Sequence, residues 1–458
     1  MHKVTIKDIL KATEGELICG NIEDICEDFE RDSRLISYGK VYVAIKGENN
    51  DGNNYVEQSI NNGAQTCIIS CNINEKIKDK NIINKIKNNE INIIKVENTV
   101  KALQQIATYK RGLYSIPVVA VTGSVGKTST KDIIASVMSK KYKTHKTQGN
   151  LNNHIGLPLT ILSLKDEEAL VIEMGMNHLG EISKLTNIAK PTLAVITNVG
   201  TAHIGNLGSR ENILKAKLEI LEGLQGDTVI INNDNDLLSK WAKTEKEYNI
   251  ITYGIKNQNS NYVAKNIKSF EDKSTFELNN EEITVPVGGE HFVYNSLCAI
   301  AVGKYFEIPI ETIKKGIETF ELTKSRMEII QLKNAATVIN DCYNANFDSM
   351  KAAIKYIENI KDKRKITVLG DMLELGSYSK EIHTNLGKEI KNVDILITVG
   401  NEAKNIAKYA EAKEIIELQN NEEVVNKLKP IISPNDIILF KASHSMNFDE
   451  IINKIKEM

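Results

Sequence analysis

Short apolar runs punctuate this chain, and most of them end at a glycine or a small polar residue. Residues 38–45 (YGKVYVAI) and 65–70 (QTCIIS) predict two buried strands, with a turn and a short helix ending at Gly63 between them. This N-terminal unit is expected to close near residue 98. An amphipathic stretch over 99–112 predicts a helix, after which IPVVAVTG (116–123) forms an apolar strand that runs into a glycine turn. Apolar runs recur at 169–174 (ALVIEM), 192–198 (TLAVITN) and 227–232 (DTVIIN), with helical patterns between them, notably 127–140 and 209–223. Strands without polar alternation, separated by helices, predict a parallel sheet covered on both faces. Residues 261–286 alternate as antiparallel strands do, and a helix over 290–306 follows. From about residue 323, strands at 366–370, 394–400 and 436–442 with helices in the gaps predict a second, smaller doubly wound unit. Residues 72–95, rich in Asn, Ile and Lys, read as a polar helix or loop surface. The expected fold is α/β in three domains, 1–98, 99–322 and 323–458.

Charge and composition exclude several classes. The 58 basic residues nearly balance the 60 acidic ones across 458 residues, which leaves no electrostatic footprint for nucleic acid or an anionic membrane. No stretch of eighteen apolar residues occurs, so no membrane insertion is expected. The opening MHKVTIKDIL lacks the apolar core of a secretion signal, so a cytoplasmic location is expected. The six cysteines form no C-x-x-C pair and read as buried or incidental thiols.

The candidate chemistry starts at VTGSVGKTST (121–130). A buried strand, a glycine turn and a helix starting at Lys127 make an anion cradle of backbone N–H groups. Gly123, Ser124, Gly126 and Ser129 line that turn. Lys127 would reach the outer phosphates of ATP and the Thr128 hydroxyl would meet Mg²⁺. The usual P-loop spacing places glycine at position 121, where this chain has Val121. Glu173 ends the next apolar strand, where a magnesium carboxylate would sit, and His203 follows the strand after that. Taken singly, each has a plain reading: an exposed lysine at a corner, a solvated strand end, an idle loop histidine.

Together with EMGMNHLGEI (173–182), AHIG (202–205) and KAKLEIL (215–221), the glycine loop resembles the Mur ligases, the ATP-dependent amide ligases of bacterial cell-wall assembly. That family uses a shortened T-G-x-x-G-K-T loop, which accommodates Val121. SRMEII (325–330), NDCYNANFDSM (340–350), LGDMLELG (369–376) and GNLNNHIGLPLT (149–160) extend the resemblance, most closely toward members that join D-alanyl-D-alanine to a UDP-N-acetylmuramoyl-tripeptide. RDSRLISYGKVYVAIKGENNDG (31–52) is similar to the UDP-binding domain of these enzymes. The resemblance implies a UDP-substrate domain, a central P-loop ATPase-type domain with a parallel sheet, and a C-terminal Rossmann-like domain. It implies ATP and two Mg²⁺ ions, with Thr128, Glu173, His203 and Lys217 around the metals and a carbamate on Lys217. Asn295 is implied at the adenine, Arg326 at the γ-phosphate, and Asp341 at the ribose or in domain positioning. Asn344 and Asn346 adjoin that loop, and Ser33, Arg34, Asn150 and Asn153 are weaker candidates for gripping the UDP-sugar.

The chain departs from the family pattern at Phe292, where asparagine is frequent, and at Phe347, where proline is usual. In KASHSM (441–446), Ala442 and His444 stand for glycine and arginine. These departures leave the ATP and metal positions intact and bear on the acceptor and on domain closure. Two other readings stay open from sequence: a related ligase with another acceptor, folylpolyglutamate-type ligases included, and a non-catalytic nucleotide-binding scaffold. The expected state is a monomer.

Overall fold

The computed structural model describes residues 2–456. Its N-terminal sheet has six strands in the order Val4–Thr5, Ile25–Glu30, Lys40–Val43, Thr66–Ile69, Asn92–Lys95, Glu16–Cys19. The inner pairs are parallel and the two outer pairs antiparallel. The strand Asn92–Lys95 corrects the expectation of polar surface over 72–95. Its first three residues are buried and pair in register with Thr66–Ile69, so Asn92, Ile93 and Ile94 belong to the core. Asn92 is tolerated there because its amide donates to Asp24 and Thr66.

The central sheet has seven parallel strands: Tyr262–Val263, Asn249–Gly254, Thr228–Asn232, Leu193–Ile196, Val118–Thr122, Ala169–Glu173 and Thr144–Lys146. The chain starts at Val118–Thr122, winds to one edge, returns to Ala169–Glu173 on one side of its starting strand, and then crosses to Leu193–Ile196 on the other. The glycine loop therefore leaves the sheet where the winding reverses, the crevice in which α/β sheets hold ligands. The helix Lys127–Met138 is almost wholly buried between this sheet and the helix Glu290–Tyr305, whose middle is apolar on all sides. Within 261–286, Tyr262–Val263 joins the parallel sheet, and Lys265–Ser269, Ser274–Leu278 and Glu281–Val285 form a separate antiparallel meander.

The C-terminal sheet runs Glu328–Gln331, Thr337–Asn340, Asp436–Lys441, Arg364–Gly370, Val393–Val399, Ala412–Leu418, parallel except for the first strand. Its carboxyl ends face those of the central sheet. Among the described residues no helix is long and apolar enough to cross a membrane.

Candidate active site

Between the two facing sheets lies a cavity of about 650 Å³, lined by loops from the carboxyl ends of both. The glycine loop forms its floor. Gly123 has φ +154°, and a Cβ there would lie 1.9 Å from Thr197 Oγ1, so only glycine fits. Gly126, at φ +80°, precedes the helix and carries no side chain across its N-terminus. The loop is pinned from the neighbouring strand: Val125 N–H donates to Asn198 Oδ1, Ser124 N–H to Asn198 O, and Thr197 Oγ1 to Val125 O. Ser124, Thr128 and Ser129 are buried around it, and the Lys127 ammonium donates to Gly123 O at 2.7 Å. Desolvation pushes the Lys127 amine below its ordinary value, against the pull of Glu173.

Glu173 is 2% exposed at the end of its strand. Its Oε2 accepts from Thr128 Oγ1 at 2.8 Å, its Oε1 accepts from Asn152 Nδ2 at 2.7 Å, and its backbone N–H donates to Thr147. From the opposite domain, Arg326 Nη2 donates to the same Thr128 hydroxyl at 2.9 Å. The guanidinium stacks 4.0 Å from the Tyr343 ring, and its Nε is buried without a partner among the described residues. Ser325 and Met327, on either side of Arg326, both adopt left-handed backbone (φ +59° and +49°). Such strain persists where the surroundings fix it, and here it aims Arg326 at the loop.

His203 also has a left-handed backbone, and its Nδ1 lies 2.8 Å from Glu374 Oε2 of the C-terminal domain without hydrogen-bond alignment. Lys217 is 1% exposed and stands behind the residues that line the cavity. Burial, together with the neighbouring Lys127 ammonium, pushes its amine well below the lysine range.

Asn295 and Asp341 both line the cavity. Asn295 Oδ1 accepts from Thr130 Oγ1, and Asp341 Oδ2 accepts from Lys441 Nζ at 2.5 Å. Asn150, Asn153, Asn344 and Asn346 line it too, although Asn346 spends its side chain on capping the helix Phe347–Glu358. Ser33 and Arg34 do not reach this cavity. Ser33 bonds to Gln58, and Arg34 is exposed and paired with Asp32 on the N-terminal domain. Among the departures, Phe292 lines the cavity and rests on the His291 ring (4.4 Å between centroids). Phe347 lies under the Lys351 ammonium, and the buried Ala442 methyl fills the space that Gly370 leaves open. His444 is exposed at the rim beside Tyr343.

Several lining residues were passed over in the sequence. Asn152 sat between two candidate asparagines, and spacing alone gave no reason to choose it. Glu374, Tyr343 and Lys441 lie inside LGDMLELG, NDCYNAN and KASHSM, and nothing in those runs alone marks them as lining residues. Asp234, which gathers three backbone N–H groups and the Tyr294 hydroxyl, follows the strand Thr228–Asn232 at the same sheet edge. That edge position was the signal available.

No group of three His, Cys, Asp or Glu side chains converges among the described residues. The donors near the loop are a hydroxyl and a carboxylate, hard oxygen ligands that suit Mg²⁺.

Comparison with known proteins gives one result across the chain. Three family descriptions match in succession: "Mur ligase family, catalytic domain" over residues 30–111, "Mur ligase middle domain" over 121–303, and "Mur ligase, glutamate ligase domain" over 325–444. The UDP-N-acetylmuramoyl-tripeptide–D-alanyl-D-alanine ligase of Bacillus subtilis is 36% identical over 469 aligned positions, covering 100% of this chain and 99% of the relative. That of Escherichia coli is 29% identical, covering 100% and 99%. Among solved structures, MurF from Acinetobacter baumannii superposes with a TM-score of 0.88 at 30% identity over 100% of both chains. MurF from Thermotoga maritima in complex with ADP gives 0.80 at 28% identity, over 94% of this chain and 97% of that one.

Proposed function

This chain belongs to the Mur ligase family, and from that premise we propose that it joins D-alanyl-D-alanine to UDP-N-acetylmuramoyl-tripeptide with ATP, a step of peptidoglycan precursor synthesis. The observation that carries the reading is the meeting of two domains at one hydroxyl. Thr128 of the glycine loop donates to Glu173 and accepts from Arg326.

The chemistry follows from charge. A carboxylate is a poor electrophile, so the tripeptide carboxylate first attacks the γ-phosphorus of ATP, giving an acyl phosphate and ADP. The dipeptide amine then attacks the acyl carbon and phosphate leaves. The loop N–H groups with Ser124 and Ser129, Lys127, and Arg326 hold the phosphates and meet the charge that develops on them. Thr128, Glu173 and His203 are the residues that would hold Mg²⁺, which when bound neutralises phosphate charge. The lowered basicity of the buried Lys217 amine supports its carbamylation, which would set an anion beside Lys127 and serve a second Mg²⁺. Asn295 serves the adenine end, and Asp341, fixed by Lys441, serves the ribose or the docking of its domain. Asn150 and Asn153, with Ser33 and Arg34 on the N-terminal domain, serve the UDP-substrate. Asn344 and Asn346 lie on the acceptor side. Closure of the two sheets excludes water, which would hydrolyse the acyl phosphate. The protein acts as a monomer in the cytoplasm.

The test is ADP release with Mg-ATP, UDP-N-acetylmuramoyl-tripeptide and D-alanyl-D-alanine, each omitted in turn, with mass spectrometry of the product. Release only with the full set, and a UDP-linked pentapeptide product, is expected. Turnover with another amine would remove the named acceptor. Binding without turnover under any pairing would make the protein a scaffold.

A further inference from the structure

The amine substrate of an amide ligase arrives in neutral water as an ammonium ion. It must enter a cavity walled by Lys127, Arg326 and Lys441, so it needs a carboxylate with unused lone pairs. Six acidic side chains line the cavity: Glu173, Glu181, Asp234, Asp341, Asp348 and Glu374. Five are committed or inaccessible. Glu173 is held by Thr128 and Asn152, and Glu181 by the Asn177 N–H and His178. Asp234 accepts three backbone N–H groups and a tyrosine hydroxyl, and Asp341 is paired with Lys441. Asp348 carries no aligned hydrogen bond among the described residues, but its Oδ2 is enclosed against Gly200, where a Cβ would stand 1.9 Å away, and so is closed to a ligand. Glu374 differs. One oxygen approaches His203, no aligned hydrogen bond engages the carboxylate among the described residues, and 54% of the side chain is exposed.

Its placement is also built. The preceding loop is tied to the C-terminal domain. The Asp371 carboxylate accepts from Asn401 N–H and Ala403 N–H, and Leu373 N–H donates to Ser443 Oγ. Met372 N–H donates to Nε2 of the fully buried His383, whose Nδ1 lies 2.8 Å from Ser379 O. Glu374 itself has a left-handed backbone (φ +62°), a conformation that its surroundings must hold. The next residues sit on the central domain. A Cβ on Gly205 would lie 2.7 Å from Glu374 O and 2.8 Å from Gly376 N, and Tyr378 Oη donates to Gly208 O at 2.8 Å. Backbone on glycine leaves one rigid seat, and it turns the Glu374 carboxylate toward His203 and within electrostatic reach of Lys127.

We propose that Glu374 is the residue that binds the ammonium group of the acceptor, with the carboxylate oxygen that His203 leaves free. The proposal rests on the ligase reading above and names the recognition element for its second substrate. The domain that brings Glu374 also brings Arg326, so phosphoryl handling and amine capture are assembled by the same closure.

The experiment is steady-state kinetics of the full chain with Glu374→Gln, which keeps shape and removes charge, and with Glu374→Asp. For Glu374→Gln the KM of D-alanyl-D-alanine rises roughly 10- to 100-fold, as expected for a charge-assisted contact, while the KM values of ATP and the UDP-substrate stay within about twofold. Glu374→Asp recovers part of the loss. Propanoyl-D-alanine, which lacks the amine, inhibits the wild type and Glu374→Gln equally. An unchanged acceptor KM with lowered kcat, or equal rises in all three KM values, would overturn the proposal and leave Glu374 as a closing contact. If the wild type joins a different amine, the named acceptor falls and the same comparison is run with that amine. A wild type with no amine dependence overturns both readings.

Discussion

Lys217 is enclosed, and burial together with the nearby Lys127 charge lowers its amine well below the ordinary lysine value. Its folded-state pKa is depressed, so the folded chain holds fewer protons than the unfolded one. The resulting destabilisation grows as pH falls below the unfolded lysine value of about 10.4 and levels off only below the folded value. Lys217→Met keeps the volume and removes that burden. Its apparent Tm at pH 7 is expected to rise by about 2 °C or more, while ligase turnover falls by about 100-fold or more through loss of the anion the carbamate would supply. Bicarbonate added to CO₂-depleted wild type restores turnover and does nothing for the variant. A variant with wild-type turnover would remove Lys217 from the reaction. His291, beside Phe292, is pushed down to about 4 by burial. It folds neutral, so the stability it contributes is present above the unfolded value of about 6.5 and is lost as pH falls from there toward 4. His291→Gln should flatten that acid loss by on the order of 2 kcal/mol, read from urea midpoints between pH 7 and 4.

Element by element, the loops that present the site are held from behind by buried cations. Arg111, on the helix Thr99–Gly112, donates to the carbonyls of Ala189, Lys190 and Tyr114, closing the end of the helix Glu181–Ala189 just before the strand that leads to His203. Arg111→Met leaves those carbonyls unmet and is expected to cost about 3 kcal/mol in urea unfolding; a loss under about 0.5 kcal/mol would show that water replaces the guanidinium. Elements of this kind were legible in sequence where a strand was apolar on both faces. Val118–Thr122, Ala169–Glu173, Leu193–Ile196 and Thr228–Asn232 were read from their apolar runs, and so was the glycine turn after the first. Edge strands such as Glu16–Cys19 or Thr144–Lys146 are three or four residues long and half exposed, so no run marks them. Asn92–Lys95 was hidden because its buried asparagine reads as surface until its partners Asp24 and Thr66 are known. The glycine loop, Glu173 and Arg326 could be placed from motifs. Asn152 and Glu374 could not, since each acts through a partner distant in sequence.

At the scale of the molecule, the two nucleotide-facing domains meet through a hinge that the central domain anchors itself. Asp132, on the helix that begins at Lys127, is buried, and burial works to raise its carboxyl. Lys131 and Lys146 outweigh that and hold it below the ordinary carboxylate value. Its Oδ2 accepts from the Thr323 hydroxyl at 2.8 Å, two residues before the left-handed pair that aims Arg326. Lys131 in turn donates to Thr147 O, whose hydroxyl receives the Glu173 N–H. The hinge is thus tied to the same polar chain that orients the Glu173 carboxylate. This tie fixes where the chain leaves the central domain, three residues before Arg326, whose guanidinium reaches Thr128. Thr323→Val removes the hinge bond and retains β-branched volume. The fold should lose no more than about 1 kcal/mol, since one hydroxyl bond is removed and the ion pairs remain. Turnover should fall several-fold with substrate KM values nearly unchanged, because binding precedes closure and chemistry requires it. Small-angle scattering with and without a nonhydrolysable ATP analogue would show a smaller compaction in the variant. If kcat and compaction both match the wild type, the hinge is set by the backbone at Ser325 and Met327 alone, and the Asp132 network serves only the packing of the central domain.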